Sequence, residues 1–264
     1  MRTGFLSAEI RRMLAAAMIA TLAGALAPMA QAATPPKHTA YYADSTPDIS
    51  GVWDVSGGIY WDSDPKNPPP LTPPFAAIYA SRQADVKAGR PVYDPVAACL
   101  PPGMPRLILA PYPMEIIQTP GRVTILRELM SQIRRIYTDG RAHPSDPDLT
   151  FNGHSIGHWE GETLVVDTVA MRGDTVLDRD GFPHSDQTHS VERYRRIDAD
   201  TIEVNITLED PKALTRPWTL VRSLKRHPDW EIIEYVCEEN NRNTVDAEGR
   251  TGFDAVPHEK ATGQ

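Results

Sequence analysis

The chain lacks the short motifs that identify many cofactor-dependent enzymes. Neither a G-x-G-x-x-G fingerprint nor a Walker loop occurs in its 264 residues, so the sequence indicates no nucleotide cofactor. The zinc-protease motif H-E-x-x-H is also missing, because Ser155 stands where the glutamate would follow His154. We therefore expect no cofactor. The alternative is a divalent metal such as zinc, held by His154, His158 and His189.

Cysteine is scarce, and the two that occur are Cys99 and Cys237. They form no C-x-x-C motif, so the sequence gives no sign of redox catalysis. In an oxidising compartment such a pair favours a disulfide, which would tie the first half of the chain to its last predicted strand. Two buried thiols are the alternative.

Basic residues are outnumbered, with 27 Lys and Arg against 35 Asp and Glu and a net charge of −8. This balance argues against nucleic acid and anionic membranes as partners. Beyond the N-terminus no apolar run is long enough to cross a bilayer. We expect a small-molecule ligand, whereas the oligomeric state is not indicated.

The N-terminal segment has the pattern of a secretory signal peptide. Three arginines lie in or before residue 12, an apolar run covers residues 13–30, and Ala30-Gln31-Ala32 offers small residues for cleavage. We expect residues 1–32 to be removed and the protein to be periplasmic or secreted. An uncleaved membrane anchor is the alternative.

Proline divides the remaining chain into two parts of one domain. Residues 33–120 hold 17 of the 25 prolines, which disfavour helices and central strands. We interpret residues 33–113 as an arm that wraps a core, with a strand at 48–57 and one short helix at 73–90. Residues 114–264 form the core itself.

Short β segments separated by turn signals follow residue 114. In the segment 201–208, for example, apolar and polar residues alternate. The predicted fold is mainly β, an antiparallel meander that closes as a lipocalin-like barrel. The predicted strands are 114–118, 122–128, 131–137, 154–159, 162–168, 189–197, 201–208, 218–224 and 229–237.

The stretch GHSIGHWEGETLVVDT, residues 153–168, predicts a hairpin that turns at Glu160-Gly161. This register places His154 opposite Asp167 and puts both on one face with His158. The other face carries Trp159, Leu164 and Val166. If that apolar face packs outward, the histidines line the lumen and form a site. If it fills the lumen, the histidines are only the solvated side of a hairpin.

Five of the eight histidines fall between residues 143 and 189, which predicts a shared site. A carboxylate beside an imidazole fixes its tautomer and raises its basicity, as general acid–base catalysis requires. We assign His154 as base, Asp167 as its orienting partner, and His189 or His158 as acid. The further catalytic candidates are His143, His184 and Asp186, and the substrate-binding candidates are Arg141 and Trp159. Ordinary exposed or hydrogen-bonded histidines are the alternative.

The sequence G-H-S-I-G also places Ser155 in a G-x-S-x-G pattern, typical of an esterase nucleophile. That motif requires a strand, a turn and a helix, whereas a hairpin is predicted here. Ser155 therefore stays a minor alternative.

The motifs at 153–168, at "PHSDQTHSVER" and at "EDPKALTRPW" resemble those of a group of exported bacterial proteins, over roughly residues 95–245. The resemblance implies export but no particular activity. The meander is also similar to lipocalin-type (calycin) barrels, which include cofactor-free hydratases and cyclases. Gly51-Val52-Trp53 matches the lipocalin G-x-W motif only in part. Lyase, hydratase, isomerase or cyclase chemistry is our leading hypothesis. A metal-assisted hydrolase and a non-catalytic lipocalin-like carrier are the alternatives.

Overall fold

The computed structural model describes residues 46–55, 66–178, 181–239, 244–245 and 251–253. All of them belong to one compact unit of the chain. The predicted signal peptide, residues 1–32, lies outside the described residues. No helix in the described part is long and apolar enough to cross a membrane.

Nine strands close into a barrel, which confirms the predicted fold class. They are β1 (Gly51–Val55), β3 (Met114–Thr119), β4 (Arg122–Arg127), β5 (Gln132–Tyr137), β6 (His154–Glu160), β7 (Thr163–Val169), β8 (His189–Asp198), β9 (Thr201–Glu209) and β10 (Trp218–Arg226). Around the barrel the order is β1-β10-β9-β8-β7-β6-β5-β4-β3. The strands β2 (Val92–Tyr93), β11 (Thr244–Val245) and β12 (Thr251–Phe253) form a small separate sheet.

Alternating side chains explain why these segments form a barrel with a dry interior. In β9 the four apolar residues at every second position are buried, and the polar residues between them are partly exposed. Turn residues fix the register: Thr119 pairs with Arg122, so the loop between β3 and β4 is Pro120-Gly121, with Gly121 at φ 74°. The side chains fill the lumen, including Trp53 and Trp218.

One junction departs from the predicted antiparallel meander. Strands β5 and β6 are parallel, and only Ile136 with Ser155 and Tyr137 with Ile156 are paired. A parallel pair cannot be joined by a tight hairpin, so the chain crosses over through residues 138–153. Arg141 and His143 lie in this crossover. Because only the last two residues of β5 pair with β6, the first half of β5 is not hydrogen-bonded to β6.

The strand predicted at residues 229–237 does not form, and the arm supplies a barrel strand instead. Strand β1, from the proline-rich arm, pairs with both β10 and β3 and so closes the barrel. Because β10 already pairs with β1 and β9, it has no free edge with which residues 229–237 could pair. This segment lies against the barrel, where Tyr235 packs edge-on against Tyr112.

The predicted helix is present as α1 (Pro73–Lys87), with prolines in its first turn. None of its residues is buried, and Tyr79 stacks on Phe182 with 3.9 Å between ring centroids. A second helix, the short α2 (Arg106–Leu109), is wholly buried. The expected disulfide joins Cys99 to Cys237.

Candidate functional site

The hairpin of β6 and β7 turns one residue later than predicted. Glu160 pairs with Thr163, so the turn is Gly161-Glu162, and Asp167 lies opposite Ile156 rather than His154. The register therefore differs by two residues. Because side chains alternate with a period of two, His154 and Asp167 still lie on one face.

That face is the outer surface of the barrel. Leu164 and Val166 are buried in the core of the lumen, and Trp159 packs against it. Of the two alternatives left open by the sequence, the structure therefore has the apolar face in the lumen and the histidines on the solvated side.

Four of the predicted residues nevertheless form one hydrogen-bonded cluster on this surface. Asp167 lies at its centre: Oδ1 is 2.9 Å from His143 Nε2, and Oδ2 is 2.9 Å from His189 Nε2. The chain continues from His143 Nδ1 to His154 Nδ1, at 2.7 Å. Three adjacent strands and the crossover each contribute one of these residues. We call this set, His143, His154, Asp167 and His189, the histidine relay.

The hydrogen bonds define the tautomers that the histidines of the relay have when their imidazoles are neutral. The Asp167 carboxylate accepts, so His143 donates its Nε2–H and keeps a lone pair on Nδ1. His154 can then donate its Nδ1–H to that lone pair. The nitrogen of His154 that remains to accept a proton is Nε2. This is the arrangement of an oriented general base.

Charged and aromatic neighbours surround the relay. The ring of Tyr137 lies 5.6 Å from that of His154 at an interplanar angle of 24°, and the Arg141 guanidinium lies 4.0 Å above the Tyr137 ring. Arg141 is exposed and also pairs with Asp139 at 2.6 Å. Glu209 approaches His189 Nδ1 at 3.8 Å.

These surroundings keep His154 neutral. Partial burial, followed by the nearby His143 and Arg141, holds the pKa of His154 below its ordinary value of 6.5. A histidine with such a pKa is unprotonated at neutral pH and can accept a proton.

A groove of about 340 Å³ lies beside His154, where β5 and β6 are not paired. Its walls are formed by residues of β5 and by residues 150–153 of the crossover. Asn152 donates to Ile133 O at 3.3 Å, while its own Oδ1 is buried without a partner among the described residues.

Arg134, one of the residues that line the groove, also belongs to a buried ion pair. Arg134 makes two hydrogen bonds to Glu192, at 2.7 and 2.8 Å, and further bonds to Ser155 Oγ and Thr168 Oγ1. Burial alone would lower the pKa of Arg134, but the Glu192 carboxylate outweighs this and raises it. Ser155 is therefore part of a strand and of a satisfied network, not a nucleophile at a turn.

The other predicted site residues lie apart from the relay. His158 is exposed and pairs with Glu160 at 3.1 Å, and Asp186 pairs with Lys212 at 2.8 Å. His184 is buried and bonded to the hydroxyls of Thr175 and Thr188, at 2.7 and 2.9 Å. The five histidines predicted as one site thus divide into three places.

Nothing in the described part of the chain places three or more His, Cys, Asp or Glu side chains to hold a metal ion. In the relay, the 2.7 Å between the two Nδ1 atoms is a hydrogen-bond distance. Two nitrogens bound to one tetrahedral zinc ion would lie about 3.4 Å apart, given Zn–N distances of about 2.1 Å.

Sequence reasoning missed the residues of the groove. Asn152, Gln132 and Tyr137 come from segments whose separation depends on the parallel junction of β5 and β6. One available signal was the long connection between Tyr137 and His154, which exceeds a usual hairpin loop.

No protein-family model matches the chain, and no curated protein matches its sequence.

Proposed function

We propose that this β-barrel is an exported, cofactor-free enzyme that transfers a proton on a small, partly apolar molecule bound between β5 and β6. The observation that carries the proposal is the hydrogen-bonded relay from Asp167 through His143 to His154 at the edge of a groove. His154 Nε2 takes the proton. Asp167 and His143 orient the ring and stabilise the charge that develops on it.

The side chains at the site support the proposed reaction class. An unprotonated imidazole at the edge of a groove suits a substrate with one acidic proton. Lyase, isomerase, hydratase or cyclase reactions need only such a proton transfer. His189, held by the same carboxylate, is the candidate acid that returns a proton.

A generic proton-abstraction reaction tests this base without knowledge of the natural substrate. In the Kemp elimination of 5-nitrobenzisoxazole, a base removes the C–H proton, the N–O bond breaks, and a coloured phenolate forms. We expect His154→Ala to lower the protein-dependent rate by on the order of 10²-fold, the lower end of what a positioned base contributes. The wild-type rate should rise with pH and reach half its maximum below pH 6.5.

A matched control is available on the same strand. His158 shares the outer face of β6 with His154 but pairs with Glu160 outside the relay, so His158→Ala should keep the wild-type rate. Equal rates for wild type and His154→Ala, with unchanged melting temperatures, would refute the proposed base. Elemental mass spectrometry of the purified protein is the second check, because stoichiometric zinc would favour the metal-assisted hydrolase.

A further inference from the structure

A second cavity, of about 640 Å³, lies between helix α1 and the segments 172–174 and 183–186. Of the described residues, none lines both this cavity and the groove beside His154. The cavity is also the larger of the two, and the proposed proton transfer does not use it.

One wall of this cavity is apolar and is formed by helix α1, none of whose residues is fully buried. Phe75 and Ile78 line it from α1, and Ile78 is 42% exposed. Leu149 and Pro183 complete the apolar lining. Phe75, Ile78 and Arg82 are three and four residues apart, so they share one face of the helix. This face presents hydrocarbon and one positive charge side by side.

The cationic side chains of the cavity differ in their partners. Arg172 is paired with Asp174, and Lys212 with Asp186. Arg82 donates from Nη1 to the carbonyl oxygen of Gly181 at 2.7 Å. No ion pair joins Arg82 to a carboxylate among the described residues.

Among the described residues, the surroundings of Arg82 compensate its charge only in part. Burial lowers the pKa of Arg82, and the nearby Tyr93 and Asp94 only partly oppose this. Tyr93 contributes its ring face, 4.4 Å from the guanidinium. Both oxygens of Asp94 already accept from Arg106, at 2.6 and 2.7 Å. A partly buried cation is stabilised when an anion pairs with it.

Among the described residues that line the cavity, none is placed for catalysis. The ring nitrogens of His184 are bonded to protein atoms, and burial lowers its pKa to about 4. Asp186 is paired with Lys212. The chemistry of the lining is therefore that of binding.

We propose that this cavity binds a small amphipathic monoanion, with its carboxylate or phosphate on Arg82 and its hydrocarbon chain on Phe75 and Ile78. The site is separate from the histidine relay, and a ligand could occupy it during or without turnover. Its occupancy would neutralise Arg82 and cover the exposed apolar face of α1.

Calorimetric titration with octanoate and with its neutral analogue octanamide tests the charge requirement. Octanoate should bind at least about tenfold more tightly, the effect of one charge-assisted hydrogen bond. Arg82→Gln should remove this preference and leave octanamide binding unchanged. Arg90→Gln is the matched control, because Arg90 pairs with Asp85 and lies outside the cavity.

A second variant keeps the test valid if Arg82→Gln fails to fold. Ile78 is exposed and precedes Arg82 by four residues, so Ile78→Glu would place a carboxylate where it can pair with Arg82. This variant should lose octanoate binding by at least about tenfold.

Three outcomes overturn the proposal: no octanoate binding at millimolar concentration, equal affinity for octanoate and octanamide, or unchanged octanoate affinity in Ile78→Glu. His154→Ala, which should abolish proton transfer, should leave octanoate binding intact. Failure of one proposal is therefore distinguishable from failure of the other.

Discussion

Histidines of one chain serve different purposes here because their environments differ. His154 is partly exposed and hydrogen-bonded through one nitrogen, so its other nitrogen can accept a proton. His184 is only 3% exposed, and both of its nitrogens face hydroxyls or a carbonyl. Its role is to hold together the segments before β8. Asp210 supports the same segments by accepting from Ser185 and Thr188.

The burial of His184 predicts a loss of stability in mild acid. Its pKa is about 4 in the folded protein and about 6.5 when unfolded, so below pH 6.5 protons bind preferentially to the unfolded chain. The free energy of unfolding should therefore fall as the pH drops from 6.5 to 4, by up to about 3 kcal/mol from this group.

Urea unfolding at several pH values measures this dependence. The variant His184→Gln should be less stable at pH 7 but should lose less stability on acidification. The control variant His158→Ala, at an exposed position, should lose as much stability as the wild type when the pH is lowered. An identical pH dependence in His184→Gln and wild type would show that His184 does not titrate in this range.

At the scale of elements, alternation was easier to predict than register. The predicted turn at Glu160-Gly161 was wrong by one residue, yet His154 and Asp167 share a face because the resulting shift is even. The direction of that face could not be deduced locally. Ser155 and Thr168 are polar but face inward, where they bind the guanidinium of Arg134. Only the assembled barrel supplies that partner.

The backbone just before β6 approaches the end of β7 tightly at Gly153. This glycine has φ +64°, and a Cβ there would lie 2.5 Å from Val169 O. Gly140, in the same crossover, has φ +82° but open space around it. Substitution of each of these two glycines therefore distinguishes two contributions to the free energy of unfolding. At Gly140 only the left-handed backbone conformation is unfavourable, whereas at Gly153 a steric clash is added.

We expect Gly140→Ala to lower the free energy of unfolding by about 1 kcal/mol, the conformational cost alone. Gly153→Ala should cost about 2–4 kcal/mol, because displacement of packed neighbours adds to that cost. It should also lower the Kemp rate, since His154 follows directly. Chemical denaturation of both variants measures the difference, and equal losses would show that the approach at Gly153 relaxes freely.

For the whole molecule, the alternating pattern was sufficient to predict a closed barrel, but not which segments close it. Residues 229–237 look like a strand, whereas β1 from the proline-rich arm occupies the place beside β10. The choice depends on competition for one edge, which single segments do not reveal. The crossover between β5 and β6 could not be predicted for the same reason. A turn signal in the sequence indicates that the chain changes direction, but it does not indicate which strand the next segment will pair with.

Residues 229–237 therefore form no strand pairing with the barrel. They are connected to the rest of the protein by other contacts, among them the disulfide between Cys99 and Cys237. Cys99 and Cys237 are 138 residues apart in sequence, so their bond removes much entropy from the unfolded chain. Cys99→Ser with Cys237→Ser should lower the free energy of unfolding by about 4–5 kcal/mol. The far-ultraviolet circular dichroism should change little, since neither cysteine lies in a barrel strand. Urea denaturation of the variant, and of wild type with reductant, measures the loss. If both lose less than about 1 kcal/mol, the unfolded-chain argument fails, and the contacts of Tyr235 with Tyr112 suffice to hold the segment.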